Sequence, residues 1–547
     1  MTSAAASCPI QGTAETPALQ APLTILDDDN APVPTTISLA PPRELVECIL
    51  LLLDTKSMLT CRLVNREFND IIQSSTLLQY RLACTAAGVI DNPRSPLSYA
   101  ERLEALLERE DAWRKLKPVF ETTIKVNHQP WSIYELTGGR FFLSNNNRKD
   151  LHYCHLPSSP QDNPQWIRIP AHGPEQTWSG HMGDITMAVY EHDLIVNVIF
   201  SEVGDQAQTQ RHSLDLVLIK LSTGAYHPLA RHPKIHLQRS YSVRPIVLPT
   251  VVGDNLALVV YSRDGTFPDR LIIFDWKTGH KRLQHEASRN AYAAPVFLSP
   301  ELLLVPNLIL SHFEVWHLSP SQLNKPPVRI ISLQLPTISP YYSLVDVNCR
   351  GEPNPCLHSM PYLPPRPFFS SPENSVIMAN LYLRSGLQNT FYTLIMHRRP
   401  STTSSTSRYD FLQVQWADWG PSISRWFRVN ETHAWWITEC TGQRCAFSDR
   451  NPRDSRKLMV SVADFNPHRN AEMMVRLRRG EGEVNDCIGN KEEGEGKEEL
   501  EILDHGGIFS EEVYMGLKCV IYRAPDEYDF DVVLMDEERL LGLKVSN

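Results

Sequence analysis

Short apolar runs recur in pairs along this chain from about residue 121 onward, and that recurrence constrains the fold more than any other feature. The clearest pairs are 140–143 with 151–154, 194–196 with 216–219, 256–260 with 271–274 and 302–305 with 313–316. Each run is too short for a helix and is bounded by turn-forming residues, so it reads as a strand and each pair as a hairpin. The second and third pairs end alike: Ile219-Lys-Leu-Ser-Thr-Gly224 matches Phe274-Asp-Trp-Lys-Thr-Gly279. Fainter pairs follow at 376–379 with 391–396, 434–437 with 458–460 and 519–522 with 530–534. Hairpins repeating every ~40–60 residues point to an all-β propeller of roughly seven blades rather than a helical solenoid.

The stretch Phe274-Asp-Trp-Lys-Thr-Gly279 also resembles the strand ending of WD-type blades. The resemblance implies that Trp276 packs between sheets while Thr278 and Gly279 turn the chain outward. Trp416, Trp419, Trp426, Trp435 and Trp436 are expected to fill space between blades rather than to line a binding surface.

Ahead of the strands the texture is helical. Residues 42–72 read PRELVECILLLLDTKSMLTCRLVNREFNDII. Pro-x-Glu-Leu opens a helix, since proline is tolerated in the first turn and glutamate suits its positive end. The run 49–53 is apolar at every position, so at ~100° per residue it covers the whole circumference and part of it awaits a partner. Ser57 is a candidate N-cap for the next helix. Met58, Leu59, Leu63 and Val64 supply a second apolar stripe, and Phe68, Ile71 and Ile72 a third.

This order of residues resembles the F-box, the motif that docks a substrate receptor onto the Skp adaptor of Skp-cullin-F-box ubiquitin ligases. The residues that carry the resemblance are Pro42, Glu44, Leu45, Ile49, Leu50, Leu53, Leu59, Val64, Arg66, Phe68 and Ile72, with Leu77 and Leu78 near the closing position. One departure is visible: Leu39 and Pro42 are separated where the family has Leu-Pro adjacent. The resemblance implies that Pro42, Glu44, Leu45, Ile49, Leu50, Leu53, Leu59, Val64 and Phe68 meet a Skp-type adaptor. Through the adaptor they would reach a cullin, while the propeller holds a target protein. A scaffold using the same two domains without ubiquitin transfer is the alternative.

The expected organisation is multidomain: a disordered leader at 1–38, an all-α F-box at 39–80, a connector at 81–120 and an all-β propeller at 121–547. Loops at 351–372, 401–407 and 480–501 are inserted into the propeller. In the connector, Ser98-x-x-Glu101 is a capping box opening an amphipathic helix with Leu103, Leu106, Leu107, Trp113 and Leu116 on its apolar side. The change of texture near residue 120 predicts that a chain starting at Glu121 folds alone.

Composition closes off other classes. A net charge of −10 argues against a nucleic-acid surface as the main function. No window approaches the ~18 apolar residues of a membrane span, and no signal peptide is visible, so a cytoplasmic or nuclear location is expected. The 11 cysteines contain no C-x-x-C, and Cys349/Cys356 and Cys440/Cys445 are the near neighbours. Free thiols in a reducing compartment are therefore expected. No nucleophile elbow, phosphate loop or zinc helix occurs, so no catalytic residue, metal ligand or cofactor is expected. His172, His181 and His192 fit no metal spacing and read as solvated.

Overall fold

The structure, a computed structural model, describes residues 42–174, 180–203, 211–240, 244–262, 264–319, 326–355, 360–386, 388–398, 412–430, 439–478, 487–488 and 500–544. It divides into a unit ending at Leu52 and a larger one from Leu53 onward. The first contains one described helix, α1 (Arg43–Leu52).

The larger unit begins with helices α2 (Thr55–Cys61), α3 (Arg66–Ser74) and α4 (Thr76–Ala87), then α5 (Tyr99–Lys115). Polar side chains start them: Asp54 accepts from the Ser57 amide, Asn65 from Phe68 and Ser75 from Leu78. The cap of α2 is thus Asp54 rather than Ser57, because the Asp54 carboxylate already reaches the Ser57 N–H at 2.9 Å. The capping box of Ser98 and Glu101 forms as expected.

Among the described residues six larger, mainly antiparallel sheets follow, spanning 130–170, 181–240, 246–287, 296–334, 343–429 and 440–528. The first three are four-stranded meanders, each strand paired to the next in sequence. The four clearest hairpins expected from the sequence, and that at 376–379 with 391–396, all pair. Sheet four gains a parallel fifth strand from Leu412–Val414, and sheet six a short one from Cys487–Ile488. A two-stranded hairpin, Val532–Met535 with Leu540–Leu543, comes last.

Side-chain alternation makes these sheets a ring. Along 256–260, Leu256, Leu258 and Val260 pack toward sheet two, while Ala257 and Val259 pack toward sheet four. In sheet two, Leu194 and Val196 face sheet three while Ile195 and Ile199 face sheet one. Both faces are buried, which is why the strands read as continuous apolar runs rather than alternating ones. Sheets four and five share a core through Phe313 and Leu394, and sheets five and six through Met378 and Cys519. The final hairpin closes the circle, with Val533 and Met535 against sheet six and Val532 and Leu534 against sheet one. Such a closed succession of small antiparallel sheets is a β-propeller.

Two pairings differ from expectation. Leu458–Asp464 pairs with Arg444–Arg450, and the expected partner at 434–437 lies outside the described residues. Cys519–Tyr528 pairs with Leu458–Asp464 rather than with 530–534. The reason is the turn at Asp536, whose side chain accepts from the Glu538 and Arg539 amides and folds Val532–Met535 onto Leu540–Leu543 instead.

Trp416 and Trp419 on α7 (Trp416–Ile423), with Trp426 beside it, fill the core between sheets four and five; Trp435 and Trp436 lie outside the described residues. Trp276 is fully buried and donates to the Gly253 carbonyl at 2.8 Å. The described parts of 351–372, read from sequence as an inserted loop, act as straps. Asn354 donates to the Val251 carbonyl at 3.1 Å, Tyr362 donates its amide to Tyr190, and Phe368–Ser370 pairs with Val89–Asp91. Stretch 401–407 lies outside the described residues, as does 480–501 apart from 487–488 and 500–501.

Helix α5 departs from the expectation of an independent propeller. Trp113 and Leu116 sit in one cluster with Ala446, Val460 and Val462 of sheet six and Val533 and Met535 of the closing hairpin. A chain beginning at Glu121 would leave that cluster open at the seam of the ring. Trp113→Ala is expected to destabilise the protein by about 3–5 kcal/mol, read by urea unfolding, and a chain starting at residue 121 should melt well below the full chain. Equal melting temperatures would show that the seam closes without α5.

Candidate functional site

On α1 the side chains of Leu45, Ile49 and Leu52 follow one another at i, i+4 and i+7, so they share a helix face. All three are exposed, Leu52 to 85%. Val46 and Leu50 are buried. Pro42 and Glu44, in the first turn, are exposed. Leu50, expected on the adaptor face, is buried and lies well round the circumference from the exposed row.

The α2–α3 segment presents a second apolar surface. Leu59 is exposed, as are Leu63 and Val64 in the turn after α2, to 86% and 65%. Met58, Ile71 and Ile72 are buried beneath, while Leu53 and Phe68 are half-buried. The chain holds this segment from below: Arg81 on α4 donates to the Leu53 carbonyl at 3.0 Å and Thr55 donates to the Thr85 hydroxyl at 3.0 Å. Single exposed apolar residues are ordinary on a protein surface; here three lie in a row on α1, and three more lie at the end of α2 and in the turn after it. Sequence reading placed Leu52 in the first helix and Leu63 in the second apolar stripe without assigning either to the site; Leu63 falls in the turn after α2, and Leu52 belongs to the apolar run that signalled the surface.

Helix α4 is fixed to the propeller through α5. Tyr80 on α4 donates to Asp91 at 3.0 Å, and Arg102 on α5 grips the same carboxylate at 2.7 Å. Further along α5, Glu110 is buried and pairs with Arg444 at 2.6 Å and Arg469 at 3.0 Å, with Arg109 beside it. Arg444 also pairs with Asp464 at 2.9 Å. Burial pushes the Glu110 carboxyl upward, but the charges of Arg444, Arg109 and Arg469 outweigh it and hold it well below the usual carboxylate range. Glu110→Gln would leave three guanidinium groups short of a counter-charge. The expected loss is about 3–5 kcal/mol, measured by chemical unfolding; a loss under 1 kcal/mol would mean that water reaches the network.

Among the described residues, no group of three or more His, Cys, Asp or Glu side chains is gathered to hold a metal ion. The histidines nevertheless differ from expectation: His181 is exposed, but His172 is buried and the His192 side chain is only 12% exposed. His192 ends the short helix α6 (Val189–His192) and packs edge-on against Trp276, 5.2 Å between centroids. Burial, with the nearby Lys277 charge, brings its pKa down to about 4. An unfolded histidine titrates near 6.5, so on acidification the unfolded state takes up the proton first. The stability carried by neutral His192 is present above pH 6.5 and lost between about 6.5 and 4. Melting temperature should fall across that window, and His192→Phe, which keeps the contact with Trp276, should flatten the fall. An unchanged slope would remove His192 as its source.

The thiols also differ in one place. Cys440 and Cys445 face each other across an antiparallel strand pair, 4.1 Å between Cα atoms, and are joined by a disulfide. Cys48, Cys61, Cys84, Cys154, Cys349 and Cys519 are free, and Cys356 lies outside the described residues.

Comparison with known proteins assigns residues 42–80 to the F-box domain. No curated protein matches the chain. Among solved structures, the WD40 domain of Toxoplasma gondii coronin is similar at 9% identity over 60% of this chain and 66% of its own, with a TM-score of 0.28. The C-terminal WD40 domain of Sif2 is similar at 8% identity over 73% and 97%, with a TM-score of 0.28. The propeller assignment itself rests on the sheet order and ring closure above. Residues 42–80 thus match an F-box domain, and the strands from residue 130 onward fold as a β-propeller. Among the described residues no helix is long and apolar enough to cross a membrane.

Proposed function

We propose that this chain is the substrate-recognition subunit of a Skp-cullin-F-box ubiquitin ligase. Its F-box binds a Skp-type adaptor and, through it, a cullin; its propeller binds a target protein. The observation that carries the reading is the exposed row Leu45, Ile49 and Leu52 on α1, inside a segment that matches the F-box. Such a subunit makes and breaks no bonds. It raises the effective concentration of target lysines beside the ubiquitin-loaded enzyme by holding both on one scaffold. A cytoplasmic or nuclear setting follows from that role.

The sites divide by exposure. Leu45, Ile49, Leu59 and Val64 supply the apolar contact, with Pro42 and Glu44 at its edge. Leu53 and Phe68 are reached in part, and Leu50 supports the helix from within. Leu45→Asp with Ile49→Asp places two charges in that contact, each on the order of 3 kcal/mol when desolvated without a partner. Both positions are exposed, so the fold should survive. Affinity purification with mass spectrometry is expected to recover adaptor, cullin and target with the wild type, and only the target with the double variant. Equal adaptor recovery from both would sink the reading, and adaptor without cullin would favour the non-ubiquitin scaffold.

A further inference from the structure

Beside α2 lies an open groove of about 400 Å³ that the F-box match does not account for. Leu59 and Leu63 are two of its lining residues, with Thr55, Lys56 and Thr85 from the helical layer. His468 is the remaining distinctive lining residue, and it comes from α8 (Pro467–Arg478), a helix that leaves propeller sheet six after Leu458–Asp464. The junction is built rather than incidental. Asn466, just before α8, donates to the Ala86 carbonyl at the end of α4 at 2.8 Å, and its own amide is held by Asp464. Thr55 and Thr85 are hydrogen-bonded across the groove's helical side. The propeller therefore supplies one wall of a depression whose other wall is F-box helix.

The groove has an apolar floor and a basic rim. Lys56 and His468 are exposed, and neither side chain has a hydrogen bond or ion pair among the described residues. Leu63 is 86% exposed at the mouth. An apolar side chain flanked by a carboxylate matches that lining: the side chain sits against Leu59 and Leu63, and the carboxylate meets Lys56 and His468. The groove is continuous with the exposed Leu59–Val64 surface assigned above to the adaptor. We infer that the adaptor's footprint runs beyond the F-box onto α8, and that an acidic-apolar segment of the adaptor occupies this groove. The inference rests on the adaptor reading and adds a contact from the propeller itself. Adaptor binding then reports on whether the propeller is folded, because α8 is positioned by sheet six.

The test uses the purified full chain and a purified Skp-type adaptor, with Kd and association rate measured at low and high salt. Lys56→Glu with His468→Glu is expected to weaken binding about tenfold, mainly through a slower association rate, with the difference shrinking at high salt. Leu63→Ser is expected to weaken binding severalfold without that salt dependence. Lys149→Glu, an exposed charge reversal in a turn of sheet one, is expected to leave Kd unchanged. Two results would overturn the inference. One is Kd within twofold of wild type for the Lys56/His468 variant while Leu45→Asp with Ile49→Asp abolishes binding, which leaves the adaptor reading intact. The other is equal weakening by Lys149→Glu, which would assign the effect to net charge. A wild-type chain that fails to bind the adaptor at all would instead bring down the adaptor reading, and the groove with it.

Discussion

Closure of the ring by Val532–Met535 and Leu540–Leu543 is the constraint on which the rest of the larger unit depends. Every sheet before it buries both faces against its neighbours, so an open ring would expose one face of sheet one and one of sheet six. The closing element is only a hairpin, narrower than the four-stranded sheets around it. Trp113 and Leu116 of α5 complete the cluster on its sheet-six side, and Ile124 packs with the cluster on its sheet-one side. The segment between helices and propeller is thus part of the seam. A short last sheet and an amphipathic connector are two halves of one solution.

That arrangement explains how much was legible beforehand. The runs 194–196, 256–260 and 302–305 declared themselves because both faces of a propeller strand are apolar, which leaves an unbroken hydrophobic signal. The hairpins followed from the turn residues between them. The last strands were misread for the same reason in reverse. Arg523, Pro525 and Asp526 interrupt the strand Cys519–Tyr528, so its apolar part at 519–522 seemed to belong with 530–534. What decides the pairing is the hydrogen-bonded turn at Asp536, a three-residue feature that hydrophobic pattern does not register.

The F-box was legible from the order of its residues, but exposure was not. Leu50 and Ile49 are neighbours in one apolar run, and only the phase of the helix sends one inward and the other out. His468 could not be found from sequence at all. Its neighbours Lys56 and Thr85 are hundreds of residues away, and what brings it to them is Asn466 reaching the end of α4. Likewise His172 and His192 looked like loop residues, because burial in a propeller comes from the next sheet rather than from the local segment.

Buried charge gives the assembly its remaining property. Glu110, Arg444 and Asp464 form a chain from α5 into sheet six, and Asp91 joins α4 to α5 through Tyr80 and Arg102. Apolar contacts alone would tolerate small rotations of the helices over the sheet, since dispersion is weakly directional. Bidentate and buried ion pairs do not, because a shift of an ångström leaves a desolvated charge without its partner. Helices α4 and α5 are therefore held at one angle to the ring. Under the receptor role proposed above, which works by effective concentration, a fixed angle would matter more than tight binding. A swivelling joint would spread target lysines over a wide volume, whereas a rigid one confines them to the region that the enzyme can reach. The network is costly to bury, and stability alone would be served as well by apolar packing. Together with the Trp113 cluster and the Asn466–Ala86 hydrogen bond, it fixes the orientation of the helical layer on the propeller more than it adds stability.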